Sequence, residues 1–325
     1  MNKKNALLTA LAVGALLSLG VLVGPRVEID TQLASATLPA DLDAYLAQGE
    51  AGYPDITPGA EKTIVWAHAD KRKTALAVVY LHGFSASRQE TAPLSDEIAQ
   101  QLGANLYYPR LTGHGRSGAA MAEASVNAWL NDTEEALQIG QRLGERVIVI
   151  ATSTGATLAT WLATQAHSDK VLAYALISPN FAPKDPAAQV LTWPWAKDFV
   201  PLLLGAEHQW QPRNAEQARY WSHRYPVQAL LPMMGLVEYV RELPLESIQA
   251  PLLVIYSPED KVVSPAATEQ AFARIGSPHK QLLALTDTQD DSHHVLAGRI
   301  LSPRDTPRVK AAILQFLNPL LDAQP

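Results

Sequence analysis

From Arg146 to Ala159 the chain reads Arg-Val-Ile-Val-Ile-Ala-Thr-Ser-Thr-Gly-Ala-Thr-Leu-Ala. Val147 to Ile150 are all β-branched, which favours a buried strand. The pattern breaks at small residues and resumes as an Ala/Thr/Leu run suited to a helix, with Ser153 at the break. A sharp strand-to-helix turn at a serine is a nucleophile elbow, which lifts the side chain above a parallel sheet. The usual pattern is Gly-x-Ser-x-Gly. Here it is Ala151-Thr152-Ser153-Thr154-Gly155, with Ala156 where a second glycine is often found. The flanks must be small because strand and helix nearly collide. A serine in this position is also an ordinary helix N-cap, so the stretch acquires chemical meaning only from partners elsewhere.

A serine hydroxyl is a poor nucleophile near neutral pH. It needs a base within hydrogen-bond reach and a third group to hold that base in the right tautomer. In sheets of this kind the chain order is Ser, then Asp or Glu, then His. Downstream, Leu252 to Tyr256 reads as a strand, followed by Ser257-Pro258-Glu259-Asp260-Lys261-Val262-Val263-Ser264-Pro265. Asp260 is the better placed acid and Glu259 the second; a solvated turn capping the next helix is the plain alternative. After the last strand comes Asp290-Asp291-Ser292-His293-His294-Val295. His294 is chosen over His293 because it completes Ser-x-His-Val. Adjacent histidines flanked by Asp could instead hold a metal, but neighbouring loop residues rarely point at one ion and no third ligand cluster is visible.

The oxygen of an attacked carbonyl becomes negative and needs aimed N–H donors. His82-Gly83-Phe84 follows an expected strand at Ala75 to Leu81. The backbone N–H groups of Phe84 and of Thr154 are the candidate oxyanion hole. His82 and His114 read as buried hydrogen-bonding residues. His208 and His223 read as surface or satisfied core residues.

Further strands are expected at Lys62 to Ala67, Asn105 to Tyr108, Val171 to Ile177 and Gln281 to Leu285. Helices are expected from the capping-box pair Ser87 and Glu90 to about Leu102, over Val126 to Leu143, and from about Pro307 to Leu321. Alternating strands and helices predict a mainly parallel sheet with helices on both faces. The rhythm breaks over residues 181–249, which carry four of the seven tryptophans, Trp193, Trp195, Trp210 and Trp221. This segment reads as an inserted helical cap whose aromatics chiefly form its own core. The expected organisation is residues 1–26 as an N-terminal membrane anchor or signal segment, 27–58 as a tether with one helical patch around Leu42 to Leu46, 59–180 and 250–325 as the core, and 181–249 as the cap.

Composition excludes several classes. A net charge of -6 without a basic block argues against a nucleic-acid partner. With no cysteine there is no disulfide, thiolate metal site or thiol nucleophile. At the N-terminus Lys3 and Lys4 precede Ala6 to Gly24, 19 residues without a charge. At about 1.5 Å per residue such a run can cross a hydrocarbon core roughly 30 Å thick. Gly24-Pro25-Arg26-Val27-Glu28 offers no small-x-small cleavage site, so an uncleaved anchor is expected ahead of a cleaved signal or a buried helix. Either of the first two places the catalytic body outside the cytoplasm.

Taken together, Leu81-His82-Gly83-Phe84, Leu111-Thr112-Gly113-His114-Gly115-Arg116-Ser117, the elbow at Ser153, Asp260-Lys261-Val262-Val263-Ser264-Pro265 and Ser292-His293-His294-Val295 resemble the α/β-hydrolase superfamily. The resemblance is to its monoacylglycerol lipase, carboxylesterase and S33-type serine peptidase branch. It covers roughly residues 60 to 322, and Ala151 departs from its glycine. It implies an α/β-hydrolase fold, a Ser153, Asp260, His294 triad and an oxyanion hole from Phe84 and Thr154. The expected activity is hydrolysis of carboxylic esters with an apolar acyl group through an acyl-enzyme on Ser153, with no cofactor. A peptidase or amidase, or an acyltransferase, would use the same triad, with Glu207, Glu216 and Glu238 in the cap as candidate anchors for a charged substrate terminus. A non-catalytic binding protein of this fold would be expected to have a damaged triad, whereas here each member has a candidate.

Overall fold

The computed structural model describes residues 20, 23–34 and 37–322. The elements in the first half of the chain are α1 (Leu42–Glu50), β1 (Thr63–Val65), β2 (Thr74–Leu81), α2 (Leu94–Leu102), β3 (Asn105–Tyr108), α3 (Val126–Leu143), β4 (Gly144–Thr152), α4 (Thr154–Ala163) and β5 (Val171–Ile177). Then follow α5 (Ala196–Leu204), β6 (Glu207–Gln209), α6 (Ala215–Tyr220), β7 (Arg224–Pro226), α7 (Leu230–Glu242), β8 (Leu252–Tyr256), α8 (Pro265–Arg274), β9 (Lys280–Ala284) and α9 (Thr306–Asp322).

Seven strands form one sheet in the order β1-β3-β2-β4-β5-β8-β9. β1 is antiparallel to β3, and the other neighbours are parallel. Side chains alternate between two core layers. Along β2, Ala77, Val79 and Leu81 enter one layer, and Leu76, Val78 and Tyr80 the other. Along β4, Val147, Val149 and Ala151 oppose Ile148 and Ile150 in the same way. A strand covered on both faces has no polar side to show, which is why these segments read as continuous apolar runs. Helices α3 and α4 close the first layer with Trp129, Leu137, Leu158 and Leu162. Helices α2 and α9 close the second with Ile98, Val309 and Ile313. This is the α/β-hydrolase architecture. It brings the carboxyl ends of β2, β4, β8 and β9, where the candidate site residues lie, to one edge.

Two local features differ from the sequence expectation. No single helix runs from Ser87 to Leu102. A 3-10 turn spans Arg88–Glu90 and α2 starts only at Leu94. Pro93 lacks an N–H and disfavours helical geometry at Ala92. Ser87 Oγ caps the short turn by accepting from Gln89 N–H, and Glu90 points inward rather than back to Ser87. The segment between β5 and β8 is not purely helical, because β6 and β7 pair as an antiparallel ribbon. Strands of three residues are too short for alternation to register in a sequence. Residues 27–58 contribute α1, whose Leu42 and Leu46 are buried in the first core layer, and whose Glu50 binds Arg110 at 2.7 Å.

Most of the candidate anchor in residues 1–26 lies outside the described residues. Among the described residues no helix is long and apolar enough to cross a membrane. Residues 25 and 26 lie against the segment between β5 and β8, the expected cap. Pro25 carbonyl accepts from Trp195 N–H at 2.7 Å, and Arg26 Nη1 donates to Thr192 carbonyl at 3.1 Å.

Candidate active site

The turn between β4 and α4 explains the small residues around Ser153. Ser153 has φ 54° and ψ −118°, a region that L-residues other than glycine rarely occupy. Such a backbone costs about 1–3 kcal/mol. Ile148, Val149 and Ile150 just before it are fully buried, and each contributes on the order of 2 kcal/mol. Packing therefore outweighs the strain and holds the turn. Ser153 N–H donates to Ile177 carbonyl, and its own carbonyl accepts from Asn180 N–H. A Cβ on Gly155 would lie 2.2 Å from Leu81 carbonyl oxygen, so only glycine fits there. Ala151 packs fully buried in the first core layer, and its methyl is accommodated where the pattern usually has glycine.

Three distant segments meet at this turn. His294 Nε2 lies 3.0 Å from Ser153 Oγ, and His294 Nδ1 lies 2.8 Å from Asp260 Oδ2. A carboxylate only accepts, so Nδ1 carries the proton and Nε2 is left to accept from the serine hydroxyl. Asp260 is oriented by its other oxygen, which accepts from Val262 N–H at 2.7 Å and Val263 N–H at 2.9 Å. That is the physical content of the Asp-x-Val-Val pattern. Glu259 and His293 stay outside this chain of bonds. Glu259 is exposed and 4.0 Å from His293 Nδ1, which is 2.7 Å from Thr288 Oγ1. The adjacent histidines thus serve different partners.

The loop that carries His294 is built around a residue noted in the sequence only as a flank, Asp290. Its side chain accepts from the N–H groups of His294 and Val295, both at 3.0 Å, and from Ser292 Oγ. From the cap, Arg213 reaches in to pair with it. Burial would raise the Asp290 carboxyl, but these donors and Arg213 hold it below its usual range. On the far side, Ser178 Oγ donates to His294 carbonyl at 2.7 Å. Burial pulls the His294 imidazole down. Asp260 first, then Asp290 and Glu90, outweigh that effect, and its pKa lies above the ordinary value. The spacing Asp-x-Ser-x-His was a signal that could have identified Asp290. Nothing local marks Ser178 or Arg213, whose partners are remote in sequence.

The oxyanion candidates are set by peptide orientation. Gly83 carbonyl faces His82 Nδ1 at 2.9 Å and accepts from Ala86 N–H at 3.3 Å. Leu111 N–H donates to His82 Nε2, so the ring proton sits on Nδ1 and donates to Gly83 carbonyl. A peptide with its carbonyl held one way turns its N–H the other, and for this peptide that N–H belongs to Phe84. Thr154 N–H opens α4, where helix geometry leaves it without an internal acceptor. Neither N–H donates to another backbone group among the described residues. Burial depresses His82 to about 4, which keeps it neutral and its donor in place at ordinary pH. His114 packs against it with ring centroids 5.0 Å apart.

Ser153 and His294 open into a cavity of about 540 Å³ under the cap, which Phe84 and Thr154 also line. Leu191, Leu230, Met233, Val263 and the indoles of Trp210 and Trp221 make its wall mainly apolar. Two of the four cap tryptophans therefore face the cavity, while Trp193 and Trp195 are exposed. His208 is half-buried and lines the same wall, brought there by the β6–β7 ribbon. Glu207 pairs with Arg224, Glu216 faces Arg299, and neither these nor Glu238 line the cavity.

The sequence pattern of the family described as serine aminopeptidase, S33, matches residues 72–288, which include Ser153 and Asp260 and stop short of His294. A thermostable monoacylglycerol lipase of Bacillus sp. (strain H-257) is 26% identical over 220 residues, 68% of this chain and 83% of that protein. Among solved structures, one from work on the metagenome-derived lipolytic enzymes LipS and LipT is 25% identical, with a TM-score of 0.66 over 81% of this chain and 99% of that one. A soluble variant of monoglyceride lipase from Saccharomyces cerevisiae, in complex with a substrate analog, shares the fold at 14% identity, with a TM-score of 0.61 over 80% of this chain and 91% of that one.

Proposed function

Because this chain belongs to the serine aminopeptidase S33 family and is an α/β-hydrolase, we propose that it cleaves carboxylic esters through an acyl-enzyme on Ser153. The observation that carries the reading is the bonded series Ser153, His294, Asp260 at the floor of an apolar cavity. Lipase relatives point to a lipid or other ester as substrate. The mainly apolar wall suits an apolar acyl group.

In the proposed reaction, Ser153 Oγ attacks the ester carbonyl carbon while His294 Nε2 takes the hydroxyl proton. The carbonyl oxygen becomes negative and accepts from Phe84 N–H and Thr154 N–H. Asp260 stabilises the imidazolium and holds its orientation. As the intermediate collapses, the carbon–alkoxy bond breaks, His294 protonates the departing alcohol, and the acyl group stays on Ser153. Water then attacks, giving its proton to His294. The carboxylic acid leaves as Ser153 regains that proton.

The test is covalent labelling by a fluorophosphonate together with turnover of p-nitrophenyl butyrate. The intact protein should do both, and Ser153→Ala and His294→Ala neither. A folded intact protein that does neither contradicts the reading, and faster cleavage of matched aminoacyl amides than of esters would replace ester with amide. An N-terminal anchor holding the catalytic body outside the cytoplasm is also proposed, on residues 1–26 alone. Release of the full chain from membranes by alkaline carbonate would refute it.

A further inference from the structure

Glu90 is a buried carboxylate beside the reacting groups that the reaction above does not use. Only 3% of it is exposed, yet it reaches the cavity wall next to Ser153 and His294. Its Oε1 accepts from Gly83 N–H at 2.6 Å and from Tyr80 hydroxyl at 2.8 Å. A Cβ built on Gly83 would sit 3.1 Å from Glu90 Oε2 and 3.2 Å from Ser153 Cβ, so the carboxylate and the serine flank the same stretch of backbone. From the other side, the backbone at Glu90 and Thr91 packs on Gly298, close after His294 in sequence.

We propose that Glu90 is a positioning residue of the active site, clamping Gly83 N–H so that Phe84 N–H stays turned into the cavity, and facing His294 as a carboxylate additional to Asp260. The proposal rests on the serine-hydrolase reading and deepens it. The clamp acts on one peptide and His82 on the next. Gly83 N–H is held by Glu90 and Gly83 carbonyl by His82, so both planes leading to Phe84 are fixed from the protein side. Clamping requires an acceptor and not a charge. The effect on His294 requires the charge.

The charged and titratable groups around Glu90 leave the second role to it. Tyr80 faces it from β2. His294 and Asp290 line the same cavity as Glu90; His294 is paired with Asp260, and Asp290 with Arg213. Arg88, on the same turn, donates to Gly59 carbonyl and stacks over Tyr108. On α6, Arg219 donates to Pro58 carbonyl, and Glu216 faces Arg299. None of these cations pairs with Glu90. Burial pushes its carboxyl up to about 7, against the Gly83 and Tyr80 hydrogen bonds and the His294 charge.

Two variants of the full chain separate the roles, with p-nitrophenyl butyrate as substrate. In E90A the acceptor is gone, and kcat should fall about tenfold or more with KM within about threefold. E90Q restores the acceptor, and kcat at its optimum should return to within about threefold of wild type. It also removes the negative charge near the imidazole, which Glu90 with its carboxyl at about 7 carries in part across that range, so the acid limb of its kcat/KM profile should move to lower pH. A folded E90A with wild-type kcat overturns the proposal, as does an acid limb in E90Q identical to wild type. Should E90A fail to fold, the limb in E90Q decides. An inert wild type would defeat the serine-hydrolase reading and this proposal with it, whereas an active wild type with an indifferent E90A defeats the proposal alone.

Discussion

His294 Nε2 stands 3.0 Å from Ser153 Oγ, although 141 positions separate the two in the chain. Neither residue sets this distance alone. Ser153 is lifted by a strained turn clamped between β4 and α4. His294 is held by its backbone through Asp290 and Ser178 and by its ring through Asp260. A site built this way should respond to changes in its supports as well as in its reacting atoms.

Asp260→Asn tests the ring support. An amide nitrogen presented to Nδ1 favours the wrong tautomer, leaving no acceptor at Nε2. The expected loss in kcat is on the order of 10³- to 10⁴-fold with KM little changed, measured by steady-state kinetics on p-nitrophenyl butyrate.

The pH profile tests the electrostatics. In the proposed reaction His294 must be neutral to take the serine proton, and its pKa lies above the ordinary imidazole value. Protonation builds up as pH falls, so a raised pKa causes loss of activity at a higher pH than an unperturbed imidazole would. The acid limb of kcat/KM should therefore fall above about 6.5. A limb centred well below that value contradicts the arrangement of the three carboxylates.

Asp290→Ala removes the loop support. It leaves the N–H groups of His294 and Val295 without their acceptor, at about 1–3 kcal/mol for each one that stays buried. Urea unfolding should show a loss of about 3 kcal/mol, and kcat should drop at least about tenfold. Arg213→Ala should cost less, about 1 kcal/mol, because its side chain is 34% exposed and water can replace it around Asp290.

The two ends of the elbow pattern should respond in opposite degree. Gly155→Ala drives a methyl into Leu81 and His82 carbonyl oxygens and should cost more than about 2 kcal/mol or prevent folding. Ala151→Gly removes one buried methyl from a strand and should cost about 1 kcal/mol with activity preserved. Thermal melts of the two variants make the comparison.

Cavity shape should govern acyl preference. Met233 lines the wall near Asn180, 3.4 Å from its side-chain nitrogen. Met233→Trp narrows the cavity. It should raise KM for long p-nitrophenyl esters at least about tenfold while leaving the acetate ester within about threefold. Equal effects on both would place the acyl group elsewhere.

Much of this protein was determined by its sequence alone. Strands covered on both faces must be apolar throughout, and the strands at 105–108, 171–177 and 252–256 appear where their runs lie. The parallel order follows from alternation with helices. Ser153, Asp260 and His294 could be named as candidates because each follows a strand-like run in the order such a sheet needs. Those signals are local, and local patterns survive in one dimension.

What only the tertiary structure decided depends on groups that meet across the chain. Ser87 and Glu90 have the spacing of a capping box, but Pro93 delays the helix and Gly83 N–H, seven residues earlier, takes the Glu90 carboxylate. Asp290 finds its cation 77 residues back, at Arg213 in the cap, and Ser178 finds the His294 carbonyl 116 residues on. Which cap tryptophans face the cavity depends on a ribbon of two three-residue strands. A buried polar group must be satisfied by whatever packing brings beside it, and that neighbour is a property of the folded chain rather than of sequence spacing.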